Sequence, residues 1–353
     1  MKTAILTALL MSGTASAGSD IINGEEATVG YYPSSGGMLA GTTIDFQGSS
    51  FDLKMLMCSA TLIAPDVVMI AAHCIDFEYF EQMAGMQFDD VDLVFSREAD
   101  LSRFSGMPGQ TWPSDAAFAW DSATHPGWSM SQLQMGLAEN DDIALLFLDE
   151  PIFDVEPAVL PTAAEANAIV EGAVVDIVGW GQQTSDQTPP AGTVGIKIAG
   201  QSEIVEVSPY EFKVGELQGD VRKCHGDSGG PTYINLGGGD GTRVIGVTSH
   251  AYDMTDCRET GGVDTRVDFY LDWIDAEMRS RCEDGTRSWC ETDGIIPPGF
   301  SEDALAFDED DDEISGCSCT AAPSSGAMGW WAMVCLGLVS VSRRRASSQG
   351  PRG

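Results

Sequence analysis

Gly226-Asp227-Ser228-Gly229-Gly230-Pro231 decides how the rest of the chain is read. A serine between glycines on a tight turn pushes its hydroxyl into solvent, and the backbone N–H groups of such a turn converge beside it. Acyl transfer needs that arrangement: an exposed nucleophile, and donors where negative charge develops on the attacked carbonyl oxygen. Gly226 and Ser228 would supply the two N–H groups, and a side chain at 226 would crowd the substrate. The plain alternative is a glycine-rich turn with an incidental serine. A base and an orienting acid elsewhere in the chain decide between the two.

Both lie upstream. Ala71-Ala72-His73-Cys74 follows the apolar runs Thr61-Leu62-Ile63 and Val67-Val68-Met69-Ile70, which read as two short buried strands around an Ala64-Pro65-Asp66 turn. Asn140-Asp141-Asp142 stands immediately before another apolar strand, Ile143-Ala144-Leu145-Leu146. Taken singly, His73 reads as a structural histidine and Asp142 as a turn former. In the order His73, Asp142, Ser228 they resemble the chymotrypsin-like (trypsin-fold) serine endopeptidases. The resemblance implies an all-β fold of two six-stranded antiparallel β-barrels with a C-terminal helix, and a site in the cleft between the barrels. It also implies that His73 is the base, Asp142 its orienting acid and Ser228 the nucleophile, acting on protein or peptide substrates with no cofactor and no metal. A catalytically silent relative serving as a binding protein is the competing class.

Further landmarks carry the resemblance from Ile21 to about Ile274. Ile21-Ile22-Asn23-Gly24 resembles the family's mature N-terminus, which implies an activation ion pair between Ile21 and Asp227. Cys58 with Cys74 matches the disulfide of the histidine loop, and Cys224 with Cys257 matches one flanking the specificity pocket. His125-Pro126, Leu160-Pro161, Gly179-Trp180-Gly181, Gly246-Val247-Thr248-Ser249 and Gly262-Val263-Asp264-Thr265-Arg266-Val267 match in order. By this likeness Ser249 supports the acid, and Ser249, Ala251 and Gly262 line the substrate cleft. Two residues depart from the pattern: His250 stands where the family carries tryptophan, and His225 precedes Gly226.

Specificity follows from the residue six positions before the nucleophile, which in the family lies at the base of the pocket. Here it is Arg222, followed by Lys223, with Arg258 just after Cys257. A guanidinium there repels basic side chains and offers a carboxylate a bidentate partner. Asp20, immediately before Ile21, agrees with such a pocket and suggests self-activation by cleavage after it. Pairing of Arg222 with Asp253 or Asp256 would leave a different specificity, and an ordinary basic preference is a further alternative.

The 353 residues carry a formal net charge of −36, which argues against nucleic-acid partners because a phosphate backbone would be repelled. The nine cysteines contain no pair of Cys-x2-Cys units, so they do not read as a metal site. Residues 1–17 read as a signal peptide: Lys2, an apolar stretch from Ala4 to Met11, then Ala15-Ser16-Ala17. Export brings an oxidising compartment in which cysteines pair. Gly18-Ser19-Asp20 is then a short propeptide, and 21–282 the protease domain.

Within that domain, Ile22 to about Ile143 reads as an antiparallel β-barrel in which Asp76 to Gln134 carries surface insertions, and Asp76, Glu78 and Glu81 read as a solvated acidic loop rather than the calcium site of some relatives. The second barrel spans about 157–267, with strands at Ala173 to Val178, Thr193 to Ile198 and Arg243 to Thr248. Leu271, Ile274 and Met278 recur at helical spacing in the closing helix. Cys282 and Cys290 read as disulfide partners in a short extension.

Residues 283–316 read as an acidic, solvated linker containing the run Asp308-Glu309-Asp310-Asp311-Asp312-Glu313. Over 317–345 a Cys317-Ser318-Cys319 motif, an apolar run from Ala327 to Val341 and Arg343-Arg344-Arg345 resemble the myxobacterial C-terminal sorting tail. Fifteen apolar positions make a short span of roughly 22 Å as a helix, with arginines on the cytoplasmic side. The resemblance implies a C-terminal processing or sorting protease as partner and surface anchoring. A membrane anchor that stays attached is the alternative.

Overall fold

Strands form where apolar runs are interrupted by glycine, proline and aspartate. The computed structural model describes residues 21–46, 49–84, 88, 90–183, 194–216, 219–237, 241–252 and 260–299. The signal-peptide, propeptide and tail readings, and Thr193, Asp253, Asp256, Cys257 and Arg258, lie outside these residues. The described chain enters through β1 (Glu25–Glu26), which belongs to the second barrel. The first barrel comprises β2 (Ser35–Phe46), β3 (Ser49–Ala64), β4 (Val67–Ile70), β5 (Asp92–Ser96), β6 (Ala117–Thr124) and β7 (Ala144–Leu148). These strands close in the order β2-β3-β4-β7-β6-β5, every pair antiparallel. The Pro65-Asp66 turn joins β3 to β4 in a register that sets Leu62 against Val68, and each residue of β4 and β7 is buried.

The second barrel comprises β8 (Val174–Gly179), β9 (Ile198–Val207), β10 (Glu211–Val214), β11 (Pro231–Asn235), β12 (Thr242–Ala251) and β13 (Gly262–Arg266). Its order is β9-β10-β13-β12-β11-β8, closed by antiparallel β8–β9 pairing, with β1 added along β9. Ile177, Ile198, Ile204, Phe212, Val214 and Ile245 fill it. Helix α1 (Phe77–Ala84) follows the first barrel's β4, and α2 (Leu271–Glu283) comes last. Ile274 and Met278, one turn apart, bury the inner face of α2 in the same core as β4 and β7. The fold is therefore the two six-stranded barrels and closing helix expected from the sequence.

Three details differ from the sequence reading. The segment 76–134, read as a part of the barrel that carries insertions, supplies a helix, α1, as well as the first-barrel strands β5 and β6. The strand expected at 193–198 begins at Ile198 and runs on to Val207. The linker does not start at residue 283. Arg287 and Asp66 form a fully buried ion pair, Nη2 to Oδ1 2.7 Å, and the Trp289 amide donates to Asp66 Oδ2 at 2.9 Å. Ser288 Oγ donates to the Leu148 carbonyl, and the Cys282–Cys290 disulfide closes the turn. Residues 283–299 thus fold onto the first barrel.

Candidate active site

His73 sits on a one-turn 3-10 helix, Ala72–Ile75, that leaves the end of β4. The Cys58–Cys74 disulfide straps this turn to β3. Asp142 lies just before β7, the strand paired with β4, so the barrel's own ladder brings the two together. His73 Nδ1 donates to Asp142 Oδ2 at 2.7 Å, and the His73 amide donates to Oδ1 at 2.9 Å. From the second barrel, Ser249 Oγ on β12 donates to the same Oδ2 at 2.5 Å, and Thr265 Oγ1 donates to the Asp142 carbonyl.

Burial alone would push the Asp142 carboxyl up. The His73 charge and hydrogen bond, with the Ser249 bond and the His73 amide, outweigh it and hold the carboxyl below its ordinary value. For His73 burial works downward, but the Asp142 charge and hydrogen bond win and raise it. The result is a buried anion beside a mostly buried, partly accessible imidazole of raised basicity.

The Ser228 turn packs against Ile70 and Ala71, the end of β4 that leads into His73. The Ser59 amide, one residue from Cys58, donates to the Ser228 carbonyl at 2.8 Å, fixing the turn to the first barrel. Gly229 has φ +75°, and a Cβ there would stand 2.4 Å from the Ser59 carbonyl and 2.6 Å from Ile70, the residue that ends β4. Glycine alone permits so close an approach. The amides of Asp227, Gly229 and Gly230 each donate to a backbone carbonyl, whereas those of Gly226 and Ser228 make no such bond among the described residues. Both residues are partly accessible. Two uncommitted amides beside a partly accessible serine are what an incoming oxyanion requires.

Behind the turn, Asp227 is completely buried. Its oxygens accept from the Gly181 and Cys224 amides, each at 2.8 Å, and burial pushes the carboxyl up to about 6. A Cβ at Gly179 or Gly181 would strike it, which explains both glycines of Gly179-Trp180-Gly181. Ile21 is buried in the second barrel's core with φ +39°, a strained conformation for a β-branched residue.

A family model, Trypsin, matches residues 21–274. The chain belongs to the trypsin family. Similar proteins include human Kallikrein-11, 26% identical over 243 residues covering 67% of this chain and 76% of that protein. Trypsin of Phaedon cochleariae is 28% identical over 274 residues, 73% of this chain and 88% of that protein. Melanization protease 1 of Drosophila melanogaster is 29% identical over 247 residues, 63% and 58% of the two chains. The chain is a trypsin-like serine endopeptidase.

The remaining residues singled out in this trypsin-family protease fall as follows. Arg222 is fully buried, its amide donating to the Ile22 carbonyl. Lys223 is buried too, and here sequence reasoning missed its partners. Its Nζ donates to Asp264 Oδ1 at 2.8 Å, Oδ2 at 2.7 Å and Thr232 Oγ1 at 2.5 Å, and Thr232 Oγ1 donates in turn to Asp264. All three ammonium hydrogens are thereby satisfied. The signal was legible in principle, since Asp264 stands in a strand between Val263 and Thr265, where only a paired carboxylate is tolerated. A Cβ on Gly262 would lie 3.3 Å from Lys223 Cβ, so Gly262 borders the lysine stem. Ala251 ends β12 beside Gly262, its cross-strand partner. Cys224 is disulfide-bonded, but its expected partner Cys257 lies outside the described residues. His225 is exposed. Asp76 accepts from the Tyr79 amide and Trp128 Nε1, and Glu81 from the Phe88 amide, so both carboxylates have protein donors.

Proposed function

We propose that His73 takes the proton of Ser228 as its oxygen attacks the peptide carbonyl and returns it to the leaving amine. Asp142 holds the Nδ1–H tautomer and stabilises the imidazolium, and the Gly226 and Ser228 amides receive the oxyanion. The carrying observation is the Asp142 carboxylate bonded at once to His73 and Ser249, with a serine turn packed on the segment ahead of His73 whose two candidate amides make no backbone bond among the described residues. Ser228→Ala and His73→Ala should each lower kcat by about a thousandfold or more with the fold intact. Substantial turnover by purified Ser228→Ala protein would sink this mechanism.

Cleavage after Asp20 would free the Ile21 ammonium, and the burial of Asp227, whose oxygens take two backbone amides among the described residues, supports it as that ammonium's partner. For the pocket, the family likeness that sets Arg222 at the base, with Ser249, Ala251 and Gly262 along the cleft, and the complete burial of Arg222 support preference for an acidic residue before the cut bond. Lys223 does not contribute, because Asp264 and Thr232 saturate it. A peptide library digested by the active enzyme checks the preference, and cleavage mainly after Lys or Arg would refute it. N-terminal sequencing of Ser228→Ala precursor checks self-activation. If that precursor still begins at Ile21, another protease does the cutting.

The ends of the chain support an exported, surface-retained enzyme: a signal peptide over 1–17, a propeptide over 18–20, the protease domain from 21, and an acidic linker reaching 316. The Cys317-Ser318-Cys319 motif, apolar run and arginines over 317–345 then form a sorting tail, processed by a membrane protease. Intact mass of the protein recovered from producing cells reports both processed ends. A mass matching the uncut chain would rule the scheme out.

A further inference from the structure

Three hydrogen-bonding contacts run in series behind the histidine–carboxylate pair. Ser249 Oγ lies 2.5 Å from Asp142 Oδ2, His250 Nδ1 lies 2.9 Å from the same hydroxyl oxygen, and His250 Nε2 lies 3.1 Å from the Gly136 carbonyl oxygen. A carbonyl only accepts, so Nε2 carries the hydrogen. A neutral imidazole has a single N–H, so Nδ1 then turns its lone pair toward Ser249. The Ser249 hydroxyl has one hydrogen and two acceptors for it, the Asp142 carboxylate and His250 Nδ1.

Burial holds His250 below the ordinary imidazole value, against the pull of the Gly136 carbonyl and Asp142, while His73 is raised. The ring is therefore neutral where His73 titrates. The charged groups that face it are Asp142 and His73 from the first barrel and Asp264 on β13, the last matched by Lys223. Behind the 134–140 loop, Glu211 on β10 accepts from Ala138 and Asn140, its buried carboxyl pushed up to about 7.

We propose that neutral His250 is a positioning residue of the catalytic group, drawing the Ser249 hydroxyl from Asp142 as His73 becomes charged and so raising the basicity of His73. While His73 is neutral, the full charge of Asp142 holds the Ser249 hydrogen. Once His73 carries a proton, the imidazolium neutralises that charge and a second donor on Oδ2 gains less. Nδ1 then offers the hydroxyl an uncharged acceptor 2.9 Å away. A carboxylate relieved of one donor holds the imidazolium more tightly. The proposal rests on the triad reading above.

The test is the titration of His73, followed by NMR of histidine-labelled Ser228→Ala protein, beside the pH profile of kcat/KM for the active enzyme. His250→Phe should lower the His73 midpoint, with about a threefold to tenfold loss of proton affinity. The acid limb of kcat/KM should move down with it. His250→Gln should restore the midpoint, because its amide N–H can donate to Gly136 while its carbonyl accepts from Ser249. In a Ser249→Ala background the His250→Phe shift should vanish. A midpoint unchanged or raised by His250→Phe, or the same shift without the Ser249 hydroxyl, would overturn the proposal. Failure of the triad reading looks different: purified Ser228→Ala protein would then keep substantial turnover, whatever the His73 midpoints do.

Discussion

Asp66 and Asp227 are both buried completely, and the chain treats their charges in opposite ways. Asp66 meets a guanidinium, two neighbouring donors and no solvent, and the result is a finished joint between the first barrel and the last folded segment. Asp227 meets two amides, and among the described residues no side-chain cation reaches it within ion-pair distance. Burial outweighs the two amide bonds and the more distant Lys223 charge and pushes its carboxyl up to about 6. The difference separates a charge buried for construction from one buried in readiness for a partner.

The largest expected effect lies at the finished joint. Arg287→Met leaves Asp66 buried and unmatched, which should cost about 3–5 kcal/mol in urea unfolding of Ser228→Ala protein. Adding Asp66→Leu should recover much of that loss. If the double variant is as unstable as the single one, packing rather than charge makes the joint.

A middle-sized effect of the opposite sign is expected at Asp227. Its folded value of about 6 stands above the ordinary 3.8, so the folded state binds the proton more tightly. Stability from this group is complete below about pH 4 and lost as pH rises through about 6. In uncut Ser228→Ala precursor, Asp227→Asn loses at every pH one of the two amide bonds, since its NH2 cannot accept, but relative to the parent it should gain up to about 3 kcal/mol between pH 4 and pH 8. In protein cut after Asp20 the same change should destabilise, since the new ammonium loses its partner. Denaturation midpoints at the two pH values, before and after cleavage, sharpen the comparison or break it.

The smallest effect belongs to a pair of the same chemistry in solvent. Arg97 Nη2 reaches both oxygens of Asp154, yet the Asp154 side chain is 70% exposed. Arg97→Ala should cost under about 1 kcal/mol, fading in high salt.

What the sequence revealed of the site is what short peptides encode. His73, Asp142 and the Ser228 turn each sit in a stretch whose glycines, apolar flanks and cysteine neighbours are visible locally. Partners far apart in the chain were not visible. Lys223 finds Asp264 across 41 positions, and His250 finds Gly136 across 114. Residues 283–299 looked like linker because a buried arginine is written like a solvated one, and Trp289, Ile295 and Ile296 are too few to make a periodic pattern. Strand β6, Ala-Phe-Ala-Trp-Asp-Ser-Ala-Thr, alternates between partly buried and exposed positions, so polar residues masked its place in the first barrel.

The joint at Asp66 also bears on the order in which this molecule is made. Asp66 and Arg287 are 221 positions apart, so a growing chain presents the acid long before the base. The six strands of the first barrel are complete by Leu148, yet the turn between β3 and β4 must hold an unmatched carboxylate until the final segment arrives. The N-terminal half has every strand it needs but not the counter-charge, so a chain cut short before Arg287 is expected to leave the β3–β4 turn solvated rather than buried.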